Sequence, residues 1–324
     1  MSKSKTIRWG IIGCGKVTEV KSGPAFQRAQ DSALVAVMRR DGEKARDYAR
    51  RHDVKKWYDD ALLLVNDPEV DAVYVATPPS SHMEYVLMAA RAGKPVYVEK
   101  PMALNHRQCV IMNNACAEAG VPLFVAYYRR ALPRFLKIKA LLEEGAVGRV
   151  RFVNVVLHQP PSQADVEGAF NWRTRPEISG GGYFVDLACH TLDILQFYFG
   201  HIISARGNAV NQAGLYPAED MVVAEFIFSS GIPGTGAWCF TAYDRLDRVE
   251  ITGTKGKITF ATFGNDPVIL ETGGSKKSFH LPNPVTIQQP LVQTIVNQLL
   301  GRGTCPSTGA TAARTNKAMD RILS

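Results

Sequence analysis

The chain has 324 residues, enough for two domains of ordinary size. With 46% hydrophobic and 21% charged residues its composition excludes a disordered or fibrous protein, and no apolar run approaches the roughly 20 residues of a membrane helix. The formal charge of +8 invites a nucleic-acid partner, but over residues 39–56 the bases alternate with Asp41, Glu43, Asp47 and Asp53, as on a solvated helix face. No helix-turn-helix or finger spacing is present, so no nucleic acid is expected and a weak preference for anionic ligands is the most the charge supports.

The start, Met1-Ser2-Lys3-Ser4-Lys5, is basic, but the apolar stretch after it is short and holds a glycine turn, which predicts a first strand and not a signal peptide. From residue 6 to about 127, short β-rich runs at 7–12, 34–38, 56–58, 72–77, 96–99 and 123–126 alternate with helical patterns. That alternation predicts a doubly wound parallel sheet of Rossmann type, covered on both faces. Asp41, Ser81 and Asn105 stand where helix caps are needed, and Gly23-Pro24 should break the first helix. After a helix over 134–144, strands dominate at 149–157, 203–210, 221–228, 234–241, 248–253 and 257–261. Few helical patterns intervene, so a large, mainly antiparallel sheet is expected in an α+β domain in place of further βαβ units. The exceptions are an amphipathic helix over 183–199 and closing helices over 288–300 and 308–323. The division expected is 1–126 for the parallel-sheet domain and 127–324 for the α+β domain, the C-terminal helix being able to pack back on the first.

Gly10-Ile11-Ile12-Gly13-Cys14-Gly15-Lys16-Val17-Thr18 follows a strand and opens a helix. Gly13 permits a tight turn, and Gly15 lets backbone N–H groups, with Lys16 and Val17 opening the helix, approach a pyrophosphate. Thr18 replaces the third glycine, a departure expected to loosen helix–strand packing. An ordinary tight loop is the plain alternative. The second strand ends in Arg39 and Arg40, where an NAD site would offer a carboxylate to the ribose 2′-hydroxyl. Guanidinium groups clamp a 2′-phosphate instead, which predicts NADP over NAD, although both arginines can also simply open a solvated helix, and Arg40 can stack on adenine. At the fourth strand's end, Thr77-Pro78 should bend over the cofactor. His82, just beyond, is expected among the cofactor-binding residues; it is either a proton carrier or a residue that caps or packs at the next helix.

Lys100 ends the fifth strand in the run Val96-Tyr97-Val98-Glu99-Lys100-Pro101. Pro101 disfavours helical geometry before it, so Lys100 is held extended at the strand tip, where partial burial would lower its pKa and fit it to trade a proton with a substrate hydroxyl. Glu99 can pair with that lysine or with a cofactor ribose, and both residues are expected at the cofactor. Downstream, Gly180-Gly181-Gly182 introduces a helix on which Asp186 and His190, four residues apart, share a face. Polar residues on the inner face of an apolar helix need a reason. A hydrogen-bonded pair in a cleft supplies one, and a satisfied core histidine is the alternative. No third ligand joins the two, and the six cysteines (Cys14, Cys109, Cys116, Cys189, Cys239, Cys305) show neither C-x-x-C nor zinc spacing, so no metal is expected. They read as reduced thiols of a cytoplasmic protein.

In combination these motifs resemble the Gfo/Idh/MocA family, named for glucose–fructose oxidoreductase, inositol dehydrogenase and rhizopine-catabolism proteins. The resemblance covers nearly the whole chain. It implies catalytic roles for Lys100, Asp186 and His190, a cis bond at Lys100-Pro101, a dinucleotide-binding domain over 1–126, and a substrate-binding and oligomerisation domain over 127–324 whose open sheet forms a homodimer or homotetramer. Asn171-Trp172-Arg173 matches a segment near the family's substrate pocket, and Tyr128 stands in the linker where many members have asparagine; Trp172, Arg173 and Tyr128 are therefore expected at the substrate. Ala188 replaces a common glycine. The expected activity is an NADP-dependent dehydrogenase or reductase acting on a CH–OH carbon of a polyhydroxylated small molecule: a sugar, cyclitol or related diol. A nucleotide-sensing regulator without turnover and an NAD-dependent glycosidase of the same fold are the alternatives.

Overall fold

A computed structural model describes residues 6–324; the basic start, Met1 to Lys5, lies outside the described residues. The chain forms two compact units. One runs to Ala103 and takes in Arg107–Ala131 and Pro284–Ala313; the other comprises Leu104–His106, Leu132–Asn283 and Arg314–Ser324.

In the first unit β1 (Ile7–Ile12), β2 (Ser32–Met38), β3 (Lys56–Tyr58), β4 (Ala72–Val75), β5 (Val96–Val98) and β6 (Leu123–Val125) form a wholly parallel sheet in the order β3-β2-β1-β4-β5-β6. Every residue of β4, β5 and β6 is buried, as strands covered on both faces must be. The order reverses between β1 and β4, so their carboxyl ends flank the crevice where open parallel sheets bind ligands. Beneath it Trp9, Phe26, Tyr74 and Tyr97 pack ring to ring, with successive centroids 4.8, 5.2 and 4.9 Å apart.

The helical stretch after β1 changes character at Gly23-Pro24. A wide turn bonded i to i+5, Thr18–Ser22, gives way to the α-helix Gly23–Arg28, because Pro24 has no N–H to continue the ladder. Asp41 caps the helix Gly42–Arg51 by accepting from the Lys44 N–H at 3.2 Å. Ser81 does not cap as expected. A tight turn, Pro79–Ser81, comes before the helix His82–Arg91, and the Ser81 hydroxyl faces back to Thr77 Oγ1 at 2.9 Å and the Pro78 carbonyl at 3.1 Å.

The second unit is built on an eight-stranded sheet of β7 (Val150–His158), β8 (Ile202–Val210), β9 (Met221–Phe228), β10 (Pro233–Cys239), β11 (Leu246–Gly253), β12 (Gly256–Phe260), β13 (Val268–Thr272) and β14 (Ser275–Phe279). Their order is β14-β13-β12-β11-β7-β10-β9-β8, antiparallel except where β7 meets β10. β13 and β14, a hairpin turned by Gly273-Gly274 at φ +52° and +79°, were not expected from the sequence. One face of the sheet buries Val153, Val155 and Leu157, while the other leaves Phe152, Val223 and Ile227 more than 40% exposed. The helix over 183–199 is in two parts, a wide turn at Phe184–Ala188 followed by the α-helix Cys189–Phe199.

Candidate functional site

The glycine turn closes against the end of β4. Gly13 has φ +91°, and a Cβ there would lie 2.6 Å from Thr77 Cγ2 and 3.0 Å from the Thr77 nitrogen, so only glycine lets the two loops meet. The Gly13 and Cys14 N–H groups both donate to the Met38 carbonyl, at 2.9 and 3.1 Å, which fastens the turn to the end of β2. A Cβ on Gly15 would meet nothing nearer than the Gly13 carbonyl oxygen, 3.8 Å away, so the backbone there opens on free space. The Gly15 N–H itself is not left for a ligand, since it donates to Thr18 Oγ1 at 3.0 Å. The Lys16 and Val17 N–H groups stand in the first helical turn, where no earlier carbonyl of the helix accepts them. Thr18 does not loosen the packing as expected: it is fully buried and its carbonyl accepts from the Tyr48 hydroxyl at 2.9 Å.

Arg39 reaches back across this turn and donates to the Cys14 carbonyl at 3.4 Å, whereas Arg40 is exposed. The nearest carboxylate in sequence, Asp41, is occupied at the helix cap and by Lys44 at 2.6 Å. An open backbone, two helix-start donors and a guanidinium over the turn fit an adenine dinucleotide.

The peptide bond from Lys100 to Pro101 is cis, and Lys100 is partly exposed at the end of β5. Its neighbour Glu99, 7% exposed, is directed into the protein: the carboxylate accepts from the Tyr74 hydroxyl at 2.5 Å, Gln288 Nε2 at 2.7 Å and the Lys100 N–H at 3.1 Å. That network anchors the backbone of Lys100. His82 is wholly buried between two loops, with Nε2 2.7 Å from the Thr77 carbonyl and Nδ1 3.1 and 3.2 Å from those of Pro101 and Met102. Burial pushes its pKa down, against the pull of these carbonyls. The residue ties the Thr77 loop to the loop after Lys100. Tyr128 is 6% exposed, with the Arg129 guanidinium 5.1 Å from its ring centroid.

In the second unit, the wide turn Phe184–Ala188 carries Asp186, and His190 follows in the α-helix, 4% exposed. Wide turns of this kind recur at functional sites. Asp186 pairs with Arg173, whose Nε is 3.2 Å from Oδ2, and the Arg173 guanidinium stacks on the Trp172 ring at 4.3 Å. Two of the residues expected at the substrate are thus brought to the aspartate expected in the chemistry. Two of the three glycines, Gly181 and Gly182, stand against a neighbour the sequence did not point to, while Gly180, at φ +87°, would set a Cβ 2.5 Å from the Leu104 carbonyl oxygen. Glu219 Oε1 accepts from the Gly182 N–H at 2.8 Å and would stand 3.2 Å from a Cβ on either Gly181 or Gly182. Burial raises the Glu219 pKa. Tyr183, also unforeseen, donates to Asp165 at 2.7 Å and accepts from Asn171 at 2.8 Å, so it holds the segment before Trp172. Burial, aided by Asp165, pushes its phenol up to about 12. Only the glycine run hinted at such partners, since it implies something packed close to a backbone.

No group of three or more metal-ligating side chains occurs among the described residues, and no helix there is long and apolar enough to cross a membrane.

Residues 7–127 match the family model described as an oxidoreductase family with an NAD-binding Rossmann fold, and residues 135–259 match that of the GFO/IDH/MocA C-terminal domain. An oxidoreductase of Formosa agariphila is 40% identical over 315 residues, 97% of each chain. The myo-inositol 2-dehydrogenase of Thermotoga maritima is 28% identical, over 82% of this chain and 78% of its own. Among solved structures, levoglucosan dehydrogenase in complex with NADH and levoglucosan superposes with a TM-score of 0.87 at 21% identity, over 98% of this chain and 96% of that one. The parallel nucleotide-binding sheet, the open antiparallel sheet and these matches agree, and the chain belongs to the Gfo/Idh/MocA family of NAD-binding oxidoreductases.

Proposed function

We propose that the chain moves hydride between NADP and a hydroxyl-bearing carbon of a sugar, cyclitol or related diol, with NAD the less favoured cofactor. The observation that carries the cofactor choice is Arg39, a guanidinium lying over the glycine turn where an NAD site would present a carboxylate. A 2′-phosphate would gain paired, charge-assisted hydrogen bonds there, and a carboxylate would repel it. The likeness to an inositol dehydrogenase supports a ring carbon bearing hydroxyls as the substrate class.

When bound, the dinucleotide supplies the hydride acceptor or donor; the chain's part is to orient the substrate and carry the proton. In this reading Lys100 or His190 accepts the hydroxyl proton in the oxidative direction. Asp186, held by Arg173, sets the charge on the helix that bears His190. Arg173 and Tyr128 hydrogen-bond further hydroxyls, and Trp172 offers the ring an apolar face. The exposed sheet face with Phe152, Val223 and Ile227 is where two copies would pair, as a homodimer or half of a homotetramer. A cytoplasmic setting accords with six cysteines that form no disulfide.

The test is a titration of NADP and NAD into the protein and into Arg39→Asp. The substitution should weaken NADP much more than NAD; equal losses would remove the phosphate clamp. A polyol panel completes it, with release of reduced cofactor expected. Glycoside cleavage without net reduction, or tight binding with no turnover, would replace the dehydrogenase with a glycosidase or a sensor.

A further inference from the structure

The His190 ring meets that of Phe263 edge to face, with centroids 5.8 Å apart at 80°. Phe263 belongs to the link between β12 and β13, and that link is gripped through its backbone from both chemical sides. Asp247, on β11, accepts three consecutive N–H groups: Thr262 at 2.8 Å on one oxygen, Phe263 at 2.6 Å and Gly264 at 3.1 Å on the other. The guanidinium of Arg134, 4% exposed, donates to the carbonyls of Ala261 and Gly264. The Thr262 side chain, in turn, shares a buried hydroxyl–hydroxyl bond of 3.0 Å with Thr191, the residue after His190. Two ionised side chains on one short link are more than a turn needs, because turns close with their own backbone bonds. Charge-assisted bonds of this kind fix position as well as add energy.

We infer that Asp247 and Phe263 are positioning residues for proton transfer. Through the link's backbone Asp247 sets Phe263 against the His190 ring and Thr262 against Thr191, and so fixes the plane in which the imidazole can exchange a proton. The inference rests on the reading of His190 as a proton carrier. An acid–base group acts only within hydrogen-bond reach of its proton, and a misplacement of about 1 Å can cost about a hundredfold in rate. Asparagine at 247 would keep the volume but turn an NH2 group towards N–H donors, since only one of its two terminal atoms accepts.

Asp247→Asn and Phe263→Leu test this in the full-length protein, with the seven histidines isotope-labelled for NMR and His190→Gln used to assign one of them. Asp247→Asn should move the His190 ring resonances. In both variants kcat on the polyol that turns over should fall about tenfold or more, with NADP affinity unchanged. Phe263→Leu leaves the Asp247 anchor intact, so its loss of kcat should come without a loss of melting temperature. An unchanged kcat in both variants, or unmoved His190 resonances in Asp247→Asn, overturns the inference, whatever the melting temperatures do. Turnover retained by His190→Gln overturns the reading of His190 instead, a result on which the resonances do not depend.

Discussion

The two units hold their polar residues by different means. In the parallel unit the loops that matter leave the carboxyl ends of adjacent strands, so topology alone delivers Gly13, Thr77 and Lys100 to the same end of the sheet. What remains is fine adjustment by groups sealed in the interior, Glu99 under Lys100 and His82 between two loops. The antiparallel unit has no such common end. Its candidate residues lie on a helix and a short turn, and carboxylates brace both elements: Asp186 on Arg173, Asp165 on Tyr183, Glu219 on the Gly182 N–H. Where the fold does not aim a site, side-chain anchors must.

Substitutions can break that contrast. Lys100→Ala should have the largest effect, lowering kcat by about 10²- to 10⁴-fold while cofactor affinity and melting temperature stay in place, as read by steady-state kinetics and titration. An equal collapse of NADP binding would make Lys100 part of the cradle and not of the chemistry. Gly13→Ala comes next. With φ +91° and Thr77 in the way, it should cost about 2 kcal/mol of stability and much of the cofactor affinity. Gly15→Ala, facing open space, should weaken the cofactor while leaving the thermal melt almost unchanged.

Glu219 sharpens the other half of the comparison. Glu219→Ala strands the Gly182 N–H and should destabilise by about 1–3 kcal/mol, whereas Glu219→Gln keeps an acceptor. Because burial raises the folded-state pKa of this acid, its ionisation works against folding, and stability falls as pH rises through that value. Glu219→Gln should therefore equal or exceed the parent protein in neutral urea melts, and lose that advantage in acid. The smallest effect is expected at Glu19, whose carboxyl is held down to about 2 chiefly by hydrogen bonds from Arg51, with His52 adding to it. Its contribution is present above the ordinary carboxylate value and is lost as pH falls towards 2. The pair is a third or more exposed, so Glu19→Gln should cost under about 1 kcal/mol at neutral pH, less in high salt and nothing in strong acid.

The parallel unit was legible because its strands are unbroken apolar runs, and the glycine turn, Arg39 and Lys100 sit at their ends by sequence alone. The strand tips were read one or two residues too long, since Ala76-Thr77 and Glu99 already leave the ladder to form the loops. β14 escaped notice because Ser275-Lys276-Lys277-Ser278 has no apolar alternation; pairing with β13 makes it a strand. The i to i+5 bonding at Phe184–Ala188 leaves no mark on residue spacing. Asp247, Asp165 and Glu219 grip groups 15 to 37 residues away, and no local pattern announces a partner at that remove.

The hairpin strand β14, fully edge-placed with Lys276 and Lys277 in its middle, has a consequence for solubility. A free strand margin is a template for further chains, and two ammonium groups along it make an incoming backbone desolvate like charges before it can add. Self-association of this protein is thereby steered away from ribbon-like growth. Neutralising both lysines by acetylation would be the simplest way to set that growth loose.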